Sequence, residues 1–299
     1  MDGILIIDKP AGITSHDVVA RVRRVLTTKR VGHTGTLDPF ATGVMVILVG
    51  RATRLAQFLD KDEKEYEAVI QFGFETDTGD TTGAQSAECG MRDEDRHSLL
   101  VSANWNEVFA QFLGEIEQTP PMYSAKKVEG KKLYELARQG IEIERKSVRV
   151  TIPEIELLAA DPTSSTIRIR VVCSAGTYIR TLAQDIGRKI GVAAHLSELR
   201  RTRAGKFGIS KGVALDRLQD LEDPASAILP MTDAVEHLPV ITLTADRATK
   251  TKGGLSTRTT DQKFRAGEPI RMQDEAGELI AVGFYDEADN SVRPKIVLV

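Results

Sequence analysis

Hydrophobic residues in this chain recur in short runs of two kinds, continuous and alternating, broken by glycine, proline and aspartate. GILIID, from Gly3 to Asp8, and VMVILV, from Val44 to Val49, are unbroken and rich in β-branched residues, which predicts buried strands. Between them, after a turn at Pro10 and Gly12, Val18, Val22, Val25 and Leu26 fall on one face of a helix with Ser15 as its expected N-cap. RATRLAQFLD predicts a second helix, and KEYEAVIQFG an alternating, half-buried strand. FETDTGDTTGAQ reads as a turn-rich connector; its aspartates hint at calcium but lack the spacing and terminal Glu of an EF-hand. Cys89 to Arg96 reads as a polar link and NWNEVFAQFLG as a short amphipathic helix. An extended, proline-stiffened segment then leads into a basic helix ended by Gly140. SVRVTIPEIELL and TIRIRVVCS predict strands. SAGTYIRTLAQDIGRKIG turns at Gly176 and enters a helix closed by Gly191, and AHLSELRRTRAGKFGIS is extended and basic. A linking helix and turn lead to about His237. From Pro239 the segments VITLT, GEPIRM, GELIAVGFY and KIVLV form a small β-rich module.

With 299 residues the chain accommodates two domains, expected at 1–237 and 238–299. A composition of 41% hydrophobic and 28% charged residues is that of a folded globular protein. Two distant cysteines, Cys89 and Cys173, fit free thiols in a reducing cytoplasm. The N-terminus does not have the pattern of a signal peptide. No apolar run approaches the ~18 residues of a membrane span. The five histidines form no metal-ligand spacing, so no metal is expected.

Charge changes the picture. The net charge is −3, yet Lys9 to His33 holds six Lys/Arg against one acid, and Pro121 to Val150 eight against four. Arg188 to Lys211 holds seven against one, while twelve acids against four cations collect from Asp60 to Arg96. Such segregation fits either solvated faces or a positive surface for a polyanion.

Candidate chemistry centres on GHTGTLDPFATG, Gly32 to Gly43, where three glycines and Pro39 surround the single acid Asp38 just before a core strand. The stretch fits a tight structural turn or a rigidly held acid. Arg180 lies in the first turn of a predicted helix, where the dipole disfavours a cation unless a carboxylate or phosphate compensates. Tyr178 and Tyr66 suit either stacking on a base or the core. Lys9 follows a strand, His33 sits beside glycines, Leu199 reads as core, and Arg200, Arg201 and Arg203 read as solvated unless they meet phosphates. Phosphate-loop, dinucleotide and nucleophile-elbow motifs are absent, so no nucleotide cofactor is expected.

GHTGTLDPFATGV resembles the catalytic motif of tRNA pseudouridine synthases of the bacterial T-loop type, which act on uridine 55. KPAGITSHDVV and KEYEA are similar to that family's N-terminal and tyrosine motifs. QTPPMYSAKKVEGKKLYELARQG, CSAGTYIRTLAQDIG and AHLSELRRTRAGKF are similar to three further segments, in family order, from Gly3 to about Phe207. The tail resembles, more weakly, the small PUA-like β-barrel RNA-binding module that often follows this domain. The resemblance implies an α+β fold with a mixed, largely antiparallel sheet. It implies a cofactor-free isomerase whose substrate is the tRNA T-arm stem-loop, with no protein partner required. It also implies that Asp38 is the catalytic acid, that Tyr66 packs on the target base and assists proton removal, and that Arg180 pairs with Asp38. Tyr178 and Leu199 would line the base pocket, His33 would hold the T-loop open, and Lys9 would support the N-terminal motif. The sequence departs from the family at Phe40, where Leu is usual, and at Ala175, where many relatives have Lys. Two rivals share the motifs: a same-fold synthase for another RNA, and a non-catalytic RNA-folding factor.

Overall fold

Two unbroken apolar runs become the centre of the molecule. The computed structural model describes every residue except 89, 125, 126, 129, 138, 260–263 and 299. In it β1 (Gly3–Lys9) and β3 (Thr42–Val49) pair antiparallel, Gly3 opposite Val49 and Lys9 opposite Gly43. Both strands are covered on both faces, which is why their sequences are continuously apolar rather than alternating. On one face Leu5, Ile7, Met45 and Ile47 meet Val18, Val22 and Leu26 of the α1 segment (α1, Ser15–Val25). On the other, Ile4, Ile6, Val44, Val46 and Leu48 meet Leu279, Val282, Ile296 and Leu298 from the end of the chain. Each such side chain contributes about 1.5–3 kcal/mol on burial.

The cap of α1 differs from expectation. Thr14, not Ser15, is the N-cap: its hydroxyl accepts from Asp17 N at 3.1 Å, and the Asp17 carboxylate accepts from Thr14 N at 2.8 Å. An acid three residues after the cap completes a capping box, and only Thr14 has one in that register. Ser15 is left free for another task.

The main sheet has nine strands. Its order is Glu154–Asp161, Thr166–Cys173, β4 (Lys64–Phe72), Ala194–Ala204, β3, β1 and Val213–Ala214, with β2 (Val31–Thr34) beside β3 and Phe207–Gly208 beside Ala194–Ala204. Among the described residues only two of its joints are parallel, between Ala194–Ala204 and β3 and between β1 and Val213–Ala214. This is the expected mixed, largely antiparallel sheet. The helix Ile179–Ile190 packs Leu182, Ala183 and Ile186 on the inner residues of β4 and Thr166–Cys173, Ala68, Ile70, Ile169 and Val171 among them.

Some local expectations are corrected. Residues Gly50–Phe58 form a 3-10 helix. The aspartate-rich connector contains a hairpin, Phe74–Thr76 with Gln85–Glu88, and the polar link gives way to the helix Asp93–Ser102. The expected basic helix is short, Leu133–Ala137; Lys126, Arg138 and Cys89 lie outside the described residues. The tail is a five-stranded sheet, as its alternation suggests, but it also carries the helix Ala245–Lys252, capped by Thr244.

Candidate active site

One row across the main sheet organises the site. The register sets Tyr66 of β4 opposite Arg201, Arg201 opposite Gly43 of β3, and Gly43 opposite Lys9 of β1. The loop from Gly35 to Val44 starts and ends against this row, and Asp38 lies in the middle of it.

The loop backbone is held by three buried polar side chains. The Ser15 hydroxyl accepts from Leu37 N at 2.9 Å and donates to Leu37 O at 3.0 Å. Lys9 Nζ donates to Ala41 O at 2.6 Å, Pro39 O at 3.1 Å and Pro10 O at 3.0 Å. Arg201 donates from Nε to Val44 O at 2.7 Å and from Nη2 to Gly35 O at 2.9 Å. Buried carbonyls must be paired, and here the pairing fixes the backbone on both sides of Asp38.

Arg180 reaches Asp38 from the first turn of the helix Ile179–Ile190. Its Nε lies 2.9 Å from Asp38 Oδ2, and its Nη1 lies 3.5 Å from Asp80 Oδ2. Further bonds run to Thr78 O at 2.7 Å and Tyr123 O at 2.8 Å, so the cation that opposes the helix dipole is compensated by carboxylates. Gln118 pins the start of this helix, accepting from Tyr178 N at 3.0 Å and donating to Tyr178 O at 3.3 Å.

Asp80 was not singled out in the sequence. Its Oδ1 accepts from Thr78 Oγ1 at 2.8 Å, Thr82 Oγ1 at 2.5 Å and Thr82 N at 2.9 Å, and the residue is buried. The Asp-Thr-Gly-Asp-Thr-Thr pattern that hints at calcium is a carboxylate fixed by threonines. Gly79, at φ +73°, lets this loop cross Arg180, since a Cβ there would come within 3.3 Å of the Arg180 Cβ.

A cavity of about 250 Å³ opens beside Asp38, walled by Tyr66, Tyr178, Leu199, Arg180, Lys64 and Arg201. Drug-sized sites run to about 300–1,000 Å³, so this one suits a smaller group. The Asp38 side chain keeps 34% of its surface exposed, while that of Arg180 behind it keeps 5%.

Burial raises the Asp38 pKa above the usual carboxylate value; the Arg180 charge opposes this and the Asp80 charge adds to it. Of these effects desolvation is the largest, and Arg180 offsets part of it. Burial also pushes the Tyr66 phenol up, against a lowering by Arg201. Lys9, fully buried, falls to about 8 by desolvation.

The structure thus brings Asp38, Arg180, Tyr66, Tyr178 and Leu199 together. Lys9 sits beneath the loop, its ammonium shared among carbonyls, and not at the cavity wall. His33 lies on β2, edge-on to His16 at 5.9 Å between ring centroids, away from the cavity. Burial lowers its pKa to about 4.

The basic clusters are less free than the sequence implies. Arg200 pairs with Asp8 at 2.7 Å, Arg188 with Glu75 at 3.0 Å, Arg203 with Glu65 at 3.7 Å, and Lys206 with Glu236. Glu65 and Glu75 come from the acidic stretch, so charges segregated along the chain are partly interleaved in space. Among the described residues no group of three or more His, Cys, Asp or Glu could hold a metal, and no helix is long and apolar enough to cross a membrane.

Two family models match the chain. One, described as TruB family pseudouridylate synthase (N terminal domain), covers residues 23–179; the other, described as tRNA pseudouridylate synthase B C-terminal domain, covers residues 180–236. The chain belongs to the TruB family. It is 49% identical over 233 residues to tRNA pseudouridine synthase B of Bordetella avium (strain 197N), covering 78% of this chain and 93% of that one. For the protein of the same name from Geobacillus thermodenitrificans (strain NG80-2) the identity is 46% over 261 residues, covering 85% of each chain. A chain of a Cbf5-Nop10-Gar1 complex superposes with a TM-score of 0.72 and 28% identity, covering 99% of this chain and 85% of that one. Family, fold class and enzyme class, a tRNA pseudouridine synthase, are those expected from the motifs. The boundary between the two TruB models falls next to Arg180, inside the helix Ile179–Ile190, although the strand Ala194–Ala204 that follows lies within the main sheet.

Proposed function

We propose that this TruB-family enzyme isomerises the T-loop uridine of tRNA to pseudouridine, with Asp38 as the reacting acid in the cavity beside Arg180. The observation that carries the reading is the Asp38–Arg180 ion pair, at 2.9 Å, opening onto a cavity walled by Tyr66, Tyr178 and Leu199. Isomerisation breaks the N1–C1′ bond of the uridine, turns the ring and joins C5 to C1′. The C5 proton leaves and N1 takes one up, so atoms balance with no cofactor. An ionised Asp38 supplies the nucleophile or base, and Arg180 holds its charge in place. The uracil must leave its stack, at a cost of a few kcal/mol, and aromatic and apolar walls receive it and let it turn. Tyr66, across from Arg201, takes the role at C5. Lys9 and His33 act from outside the cavity, Lys9 by fixing the loop and His33 by meeting the opened T-loop from β2.

In this reading the tail, residues 238–299, is a PUA-like module that lengthens the RNA surface beyond the catalytic part, residues 1–237. The enzyme works alone, in the cytoplasm, on the T-arm. A synthase for another RNA is the second reading, favoured by the structural likeness at 26% identity to an H/ACA RNP bound to a substrate RNA containing 2'-deoxyuridine. The relatives named tRNA pseudouridine synthase B, at 42–49% identity, weigh toward tRNA. Incubating unmodified tRNA with the protein and mapping pseudouridine chemically decides: product at the T-loop supports the proposal. Product only on other RNAs supports the second reading, and no product on any RNA leaves an RNA-folding factor.

A further inference from the structure

Arg201 is unlike the other cations of its strand. Arg200 and Arg203 reach carboxylates near the surface, whereas Arg201 is 1% exposed and pairs with no carboxylate among the described residues. Its two bonds go to the carbonyls of Gly35 and Val44, one before Asp38 and one after it. Across the other strand joint it is registered opposite Tyr66, and both residues line the cavity beside Asp38. Of the two motif glycines next to it, Gly35 meets its side chain and Gly43 its backbone. A Cβ on Gly43, at φ +102°, would lie 2.2 Å from Arg201 O, and one on Gly35, at φ +68°, 3.2 Å from Arg201 Nη1.

We propose that Arg201 is a positioning residue of the isomerisation, tying the loop that carries Asp38 to the strand row that holds Tyr66 so that the two keep one separation. This rests on the roles given to Asp38 and Tyr66 above. The planar guanidinium has donors in a fixed fork, so the two loop carbonyls bound to it cannot move independently. A lysine reaches the same space with one rotatable ammonium and holds no such geometry. Displacement of reacting groups by about 1 Å costs roughly a hundredfold in rate.

The test uses single-turnover rates and tRNA affinity of the full chain with Arg201→Lys, Arg201→Gln, Tyr66→Phe and the Arg201→Lys/Tyr66→Phe double variant. Arg201→Lys, which keeps the charge and a donor, carries the test if Arg201→Gln does not fold. It is expected to lose roughly a hundredfold in rate with tRNA affinity unchanged within about twofold. The double variant is expected to lose less than the product of its two single losses, because both disturb the one arrangement of Asp38 and Tyr66. A wild-type rate in Arg201→Lys, a loss confined to tRNA affinity, or losses that multiply fully would each overturn the proposal. An active wild type with such results sinks this assignment alone; an inactive wild type sinks the proposed function with it.

Discussion

Arg180 holds Asp38 from behind, Nε to Oδ2 at 2.9 Å, while a third of the Asp38 side chain still faces the cavity. The acid is therefore held by an ion pair and still reachable from the cavity. It is also a charge held against burial, since desolvation raises its pKa.

Asp38→Asn separates these effects. Turnover is expected to fall by at least ~10³-fold, toward the upper end of what one positioned acid or base supplies, with tRNA affinity kept. Folding stability moves differently. A carboxyl whose folded pKa is raised binds its proton more tightly in the native state, so stability is lost as pH rises through that pKa. The Asn variant lacks this loss, and its melting temperature relative to wild type is expected to be higher at pH 7 than at pH 4. Thermal melts at both values check it; a difference of the opposite sign would contradict the burial argument.

Asp80→Asn tests the second carboxylate on Arg180. Removing that negative charge lowers the Asp38 pKa, so the acid limb of the rate profile is expected to shift to lower pH. The plateau falls as well, roughly ten- to a hundredfold, because an amide donor in place of Oδ2 repels the Arg180 Nη1. A log-rate profile against pH reads both, and an acid limb moved upward would contradict the assignment.

What the sequence showed, and what it hid, follows from the range of the interactions. The strands β1 and β3 and the helix Ile179–Ile190 were legible because their patterns are local and strong. Asp38 was legible from the glycines and proline around it, and Arg180 from its unfavourable place on a helix dipole. Asp80 was hidden because its threonine shell looks like any polar turn until Arg180 is placed beside it. Arg201 was hidden in a run of surface arginines, since only the strand register distinguishes it from Arg200. Ser15 and Thr14 are both good caps, and the tertiary bond to Leu37 is invisible in the local pattern.

Thr14 and Ser15 therefore make a controlled pair. Thr14→Ala removes a cap and is expected to cost about 1 kcal/mol of stability with the rate unchanged. Ser15→Ala leaves Leu37 N and O unpaired beside Asp38, which costs about 1–3 kcal/mol and loosens the loop. Its rate is expected to fall at least about tenfold with tRNA affinity kept, since a small misplacement of the acid is costly. Denaturant unfolding and single-turnover assays of both variants provide the comparison; equal rates in the two would remove the role given to Ser15.

Lys9 gives a prediction in which rate and stability part company. Its ammonium serves three carbonyls, and its pKa is lowered from 10.5 to about 8 by burial. A neutral amine has two N–H donors, so deprotonation releases one carbonyl next to Asp38. The rate is expected to decline as pH rises through about 8, and this limb is expected to be absent from a slower Lys9→Met variant. Stability runs the other way. Between about 8 and 10.5 the native lysine binds fewer protons than the unfolded one, so its contribution to the unfolding free energy rises with pH. The wild-type stability relative to Lys9→Met is therefore expected to grow across the same interval in which the wild-type rate falls. Paired melts and rate profiles from pH 7 to 10 check both signs. A rate and a stability that decline together would place the alkaline group elsewhere.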